Sequence, residues 1–328
     1  VIGCHRSGTN LLYDNLLSAG GFAVYRGYLP IYKMLIPRFG SFSEAANRRR
    51  IMQVWLRSKG FRRSGLEAEP LATRIVSACR TGGDFLRTIM DEIAARQHVQ
   101  RWAVYDPDNV LYIPRIKADI PHALFVHIVR DGRDIALSLR KMGGFQPLPW
   151  DRGSRSLEAT ALYWEWMVRA GQHHGRSIPA DYLEVRYEDL VQQPRETLAA
   201  IGRFLHHDLD YDHIRAQALG RLSETNSSFL AEGKESTRNP VGRWKERLRP
   251  EEVAALESLV GDCLESLGYG LTDPAEKRKP GTRQLMMRSI YRNYLATKLW
   301  MKLNTPAGKM SNLSALELDA EPAPADPA

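Results

Sequence analysis

The stretch VIGCHRSGTNLLYDNLL, Val1 to Leu17, decides how the rest of the chain is read. Two apolar residues run into a glycine-bounded loop, GCHRSGTN from Gly3 to Asn10, and leucines at helical spacing follow. Strand, tight loop and helix are the outline of an anion-binding loop, because backbone N–H groups gather at a helix N-terminus where the dipole favours negative charge. Gly3 and Gly8 keep the glycine spacing of a nucleotide-triphosphate loop. Thr9, however, stands where that loop needs the lysine for the β- and γ-phosphates, and Asn10 where it needs the magnesium-binding hydroxyl. Arg6 supplies a fixed positive charge instead, with hydroxyls from Ser7 and Thr9. Such a loop suits a phosphate-like group held without magnesium. For the motif alone, a tight turn that merely needs two glycines is the alternative.

Two further strand-to-helix units follow. HALFVHIV (122–129) runs through RDGRD into IALSLRKM, and ADYLEVRYEDL runs towards the helix RETLAAIGRFLHH after Pro194. Strands alternating with helices predict an α/β fold with a parallel sheet flanked by helices on both faces. Arg130, at the end of the second strand, and Ser138, inside the next helix, are placed to converge on a second anion. Ligands of such sheets sit at the carboxyl ends of the strands, so both loops should face one crevice. The competing reading of RDGRD is a local ion-pair cluster of Arg130, Asp131, Arg133 and Asp134.

Taken in order, these segments resemble the 3'-phosphoadenylyl-sulfate-dependent sulfotransferases, whose fold is related to the P-loop nucleotide kinases. GCHRSGTN looks like their 5'-phosphosulfate loop and VRDGRDIALSL like their 3'-phosphate motif. VRYEDLVQQP is similar to the segment that brings a tyrosine to the nucleotide, and STRNPVGRWKERL to the late loop that closes the site. The resemblance spans about Val1 to Tyr269. It implies that Arg6, Ser7, Gly8, Thr9 and Asn10 hold the 5'-phosphosulfate, and that Arg130 and Ser138 hold the 3'-phosphate. It also implies that Tyr187 lies beside the nucleotide and that Arg238 and Gly242 cap it, with Trp244 equally readable as a packing anchor. The implied reaction moves the sulfuryl group from 3'-phosphoadenylyl sulfate (PAPS) to an acceptor hydroxyl or amine by in-line displacement. Arg6 would stabilise developing charge, and no metal would be needed.

The family pattern fails at the general base. The glutamate expected about twenty residues after the loop is missing from GFAVYRGYLP, and Tyr105 stands where relatives carry a lysine. Asp106 is the first choice for the base, with Asp108, Asp84, Glu67 and Glu69 behind it. His5 sits in the loop itself but is not chosen as the base, since its side chain is free to turn to solvent. A P-loop kinase or NTPase, and a non-catalytic nucleotide-binding relative, remain the alternative readings. The acceptor stays open among glycans, glycolipids, natural products and protein tyrosine.

Composition bounds the rest. At 328 residues, with 43% hydrophobic and 26% charged, the chain can bury a full core. Three scattered cysteines give neither a disulfide framework nor a zinc spacing, and the histidine pairs His173-His174 and His206-His207 lack neighbouring ligands, so a reducing, cytoplasmic setting and no metal are expected. A net charge of +8 implies anionic partners such as a nucleotide or a membrane face, and nucleic acid is not expected. The start at Val1, without Met and almost inside a strand, leads to the expectation of a missing upstream piece.

The expected organisation is a sulfotransferase domain over 1–275, with a basic helical region at about 41–100. A basic helix over 276–304 and a disordered acidic Ala/Pro tail over 305–328 would follow. Within 283–303, Arg283, Arg288, Arg292, Lys298 and Lys302 share half a helical wheel with Tyr291, Leu295 and Leu299. Peripheral contact with the inner membrane face and docking as a terminal helix are both compatible with that pattern. Oligomeric state is not legible.

Overall fold

The computed structural model describes residues 1–142, 156–222, 240–272 and 281–319. Its strands are β1 (Ile2–Gly3), β2 (Phe22–Ala23), β3 (Arg101–Trp102), β4 (Phe125–Val129) and β5 (Tyr182–Arg186). The chain forms two compact units. The first holds Val1–Gly20, Tyr105–Ile113 and His122–Leu299; the second holds Gly21–Val104, Pro114–Pro121 and Trp300–Ala328.

In the first unit β1, β4 and β5 form a parallel sheet in that order. Every residue of β4 is buried, and since side chains alternate across a strand, both faces of the sheet are covered there. The first helix, Thr9–Ser18, buries Leu12, Tyr13, Leu16 and Leu17. Gly132–Arg140 and Leu157–Gly175 pack together and connect β4 to β5. They fit closely at Gly132, where a Cβ would sit 2.6 Å from the Trp164 ring. The Trp164 indole N–H donates to the Arg130 carbonyl at 3.1 Å, so this packing also pins the end of β4.

Register does the rest. Gly3 pairs with Ile128, and Val129 pairs with Arg186. The residues that follow each strand, the loop from Cys4, Arg130 and Tyr187, therefore leave the same edge of the sheet, as the sequence predicts.

The second unit is mostly helical, with β2 paired to β3 in parallel. Helices Ala45–Leu56, Ala68–Ala78 and Gly82–Arg96 gather around Trp55, Phe42 and Phe85, all buried. Arg48, from the basic NRRR cluster, is buried and spends its guanidinium on the carbonyls of Phe42, Ser43 and Val76.

The tail corrects an expectation. Disorder was expected from residue 305, yet short 3-10 turns form at Pro306–Met310 and Ser314–Leu316. Leu316 is buried, and Glu317 and Asp319 pair with Lys59 and Arg62. Exposed ion pairs contribute little, so the buried leucine is the stronger reason for order. Residues 320–328 lie outside the described residues.

Candidate active site

The loop after β1 turns tightly: the Ser7 N–H donates to the Cys4 carbonyl at 3.1 Å, and Arg6 adopts a left-handed backbone with φ of 73°. A non-glycine residue held there stores strain of roughly 1–3 kcal/mol, the kind that persists at functional loops. Gly8 is the N-cap of helix Thr9–Ser18, with φ of 98° and no side-chain cap, and the first turn carries no acid. The N–H groups of that turn thus face no competing carboxylate from their own helix. Ser7 is fully buried and its Oγ has no hydrogen-bond partner among the described residues.

Arg6 and Ser138, expected to serve two different anions, meet: Arg6 Nε donates to Ser138 Oγ at 2.8 Å. Arg130 is 4% exposed and donates to the Arg6 carbonyl at 3.3 Å and the Pro240 carbonyl at 2.6 Å. Its guanidinium carbon lies 4.3 Å from the centre of the Tyr187 ring, a cation–π contact that follows from the β4–β5 register. Tyr187 in turn covers Gly8, where a Cβ would stand 2.4 Å from the ring. One cluster therefore contains Arg6, Ser7, Gly8, Arg130, Ser138 and Tyr187.

The two arginines of RDGRD divide their labour. Arg133 forms a bidentate pair with Asp131, reaches Glu257 and the Gly270 carbonyl, and stacks 3.8 Å from the Trp244 ring. It is used up in structure. Arg130 meets carboxylate oxygen at 3.6 Å on Asp134, and its Nε has no hydrogen-bond partner among the described residues. The ion-pair cluster expected of RDGRD forms through Arg133 and Asp131, while Arg130 turns to the loop and to Tyr187.

Asp134 organises the late loop: it accepts from the N–H groups of Gly242 at 2.8 Å and Trp244 at 2.9 Å. Burial lifts its carboxyl above the ordinary range against the pull of Arg130 and those N–H groups. Glu188 holds the other side, accepting from the Asp131 N–H and the Tyr269 hydroxyl, and burial raises it too. Trp244 is buried and donates to Asp131, so it is a packing anchor. Gly242 reaches the cluster through Asp134. Arg238 lies outside the described residues.

The acids expected as bases separate clearly. Asp106 caps the 3-10 turn Pro107–Leu111 and accepts the Asp108 N–H at 3.1 Å. The carboxylate that touches the loop is Asp108, whose Oδ2 lies 3.1 Å from His5 Nε2. His5, passed over in the sequence as a base candidate, is thus held in a dyad with a nearly buried carboxylate, the side chains being 29% and 8% exposed. Tyr105 packs against Tyr13 at 4.8 Å between ring centres.

In the second unit, Asp84 closes a capping box with Thr81 and pairs with Arg87. Burial opposes its ionisation, but the N–H groups of Arg80 and Thr81 and the Arg87 guanidinium outweigh that and hold its pKa low. Glu67 pairs with Arg96 at the surface, and Glu69 lies in the first turn of helix Ala68–Ala78.

Comparison with known proteins settles what this framework is. Residues 1–212 match the model described as the sulfotransferase family. The chain belongs to the sulfotransferase family. Its relatives include a Caenorhabditis elegans protein described as "Putative protein-tyrosine sulfotransferase", 26% identical over 57% of this chain and 73% of that one. A Caenorhabditis briggsae protein of the same description is 27% identical over 39% of this chain and 45% of its own. Among solved structures, the sulfotransferase domain from the curacin biosynthetic pathway superposes with a TM-score of 0.55 at 16% identity, covering 82% of this chain and 96% of that one. The sulfotransferase domain from the Synechococcus PCC 7002 olefin synthase gives 0.54 at 19% identity, with 82% and 94% covered. These likenesses give this sulfotransferase its α/β fold.

The tyrosine packed on the loop yields a direct test of the geometry. Gly8→Ala forces a methyl group into the Tyr187 ring at a positive φ. The expected cost is about 2–4 kcal/mol, read as a lower Tm, as Tyr187 is displaced from Arg130. Unchanged stability would show that the loop and Tyr187 are not packed in this way.

Proposed function

We propose that this sulfotransferase uses PAPS as donor and sulfates a hydroxyl of its acceptor, with His5 as the general base. The observation that carries the donor assignment is a pair of buried atoms at one sheet edge, Ser7 Oγ and Arg130 Nε, without partners among the described residues. Buried polar atoms left unpaired cost about 1–3 kcal/mol each, and an anion with many acceptor oxygens relieves that cost. In this reading loop N–H groups, Ser7, Thr9 and Arg6 serve the 5' side and Arg130 and Ser138 the 3' side, with the 2.8 Å hydrogen bond from Arg6 to Ser138 joining the two sets. When bound, PAPS supplies the activated sulfuryl group and the bisphosphate leaving group.

Arg6 and the loop amides stabilise the charge that develops on the leaving side. His5 takes the acceptor's proton on Nδ1 while its Nε2–H donates to Asp108, which fixes the tautomer and stabilises the imidazolium that forms. Asp106 holds Asp108 by its backbone N–H and acts through it. No step assigned to these residues requires a metal.

The nematode relatives make a tyrosine phenol a natural first acceptor to try. The test is transfer of labelled sulfate from PAPS, with a chelator present, to a panel of tyrosine peptides, simple phenols, sugars and glycolipids. Transfer to any member supports the reaction and names the acceptor class. Magnesium-dependent phosphoryl transfer from ATP, with indifference to PAPS, would overturn it.

A further inference from the structure

The helix Thr282–Asn304 carries five Lys and Arg residues and no Asp or Glu. Its buried residues are Tyr291 and Leu295, and its half-buried Arg288 pairs with Glu165 at 2.8 Å. Five large apolar side chains on the same helix are exposed: Leu285 at 51%, Met286 at 61%, Ile290 at 45%, Trp300 at 60% and Met301 at 44%. At 3.6 residues per turn they fall within about half the wheel, opposite Tyr291 and Leu295. The exposed Arg283, Lys298 and Arg292 stand along the two edges of that stripe. The sequence alone grouped the cations with Tyr291, Leu295 and Leu299, of which the first two prove to be buried; the exposed stripe is a different one.

We propose that this face docks on an anionic lipid surface, with the helix lying in the interface plane. Exposed apolar side chains flanked by cations and free of acids match what such a surface offers: an acyl boundary for the stripe and phosphate headgroups for Arg283, Arg292 and Lys298. Trp300 has the ring type favoured at the headgroup level. The partner is not a second copy of the same face, because that would bring the three exposed cations against their own kind. Nor is it a polyanion alone, which gives the apolar stripe nothing. Among the described residues no helix is long and apolar enough to cross a membrane, so the contact is a peripheral one. The inference is independent of which acceptor is sulfated.

The experiment is co-sedimentation with phosphatidylcholine vesicles, with and without phosphatidylserine, using the intact chain and the double variant Met286→Asp/Trp300→Asp. Both positions are exposed, so the variant is expected to keep its melting temperature. Binding should be about a hundredfold stronger on the serine-containing vesicles, fall with added salt, and drop at least tenfold in the variant. Absence of binding to anionic vesicles overturns the proposal, and so does a variant that binds as the parent does. A concentration-dependent dimer that the variant abolishes would assign the face to a second copy instead.

Discussion

Arg130→Ala is expected to weaken binding of adenosine 3',5'-bisphosphate by at least about a hundredfold, measured by calorimetric titration without metal. The size follows from the arginine's position. It is buried, and among the described residues its Nε has no partner and its other nitrogens reach only carbonyl oxygens and a distant carboxylate. A guanidinium so placed can turn a planar pair of donors toward a phosphate, and truncating one partner of a desolvated charge pair leaves the other charge unsatisfied. Arg130→Lys retains the charge but loses the fork, so an intermediate loss of roughly tenfold is expected. Arg133 supplies the contrast. Its ties to Asp131, Glu257, Gly270 and Trp244 are structural, so Arg133→Ala should lower Tm sharply, with binding lost only as the fold is lost. If Arg130→Ala binds the bisphosphate as tightly as the parent at an unchanged Tm, the 3'-phosphate site is elsewhere. If both variants merely unfold, the intact Arg130→Lys protein decides the matter.

The contrast between those two arginines marks what the sequence could and could not say. The strand, loop and helix outline was legible at Val1–Leu17, at 122–140 and at 182–205, because each apolar run is punctuated by glycine or proline and followed by a helical period. β2 and β3 were not, since two residues each are too short to show any period. The roles of Asp134 and Glu188 were hidden because they act at a distance. Asp134 meets Gly242 across 108 positions and Glu188 meets Asp131 across 57, with no local pattern to announce either contact. The tail misled in the opposite sense: its composition speaks of disorder, while a single buried Leu316 and the cations at 59–62 give it somewhere to rest. A positive-φ Arg6 could be suspected only from its place beside two glycines.

The dyad of His5 and Asp108, 103 positions apart, is the part of the site that only folding reveals, and it carries the second large prediction. His5→Gln should lower kcat by about a hundredfold to ten-thousandfold while leaving bisphosphate affinity within a few-fold of the parent, because a general base acts on the acceptor's proton and not on the donor's phosphates. Glutamine still donates a hydrogen bond toward Asp108, so the loop should hold its shape. Asp108→Asn should cost less, since the imidazole survives but loses its fixed tautomer and the negative charge beside the imidazolium. The pH profile separates this from a merely structural effect. In the parent, kcat/KM should fall on the acid side as His5 takes up a proton and ceases to accept one, and this limb should vanish in His5→Gln. A variant that keeps its kcat and its acid limb would remove His5 from the chemistry. Loss of bisphosphate binding with turnover would make His5 part of the donor loop instead. Failure of the parent itself to transfer sulfate would count against the reaction as a whole, so the two ideas fail in different experiments.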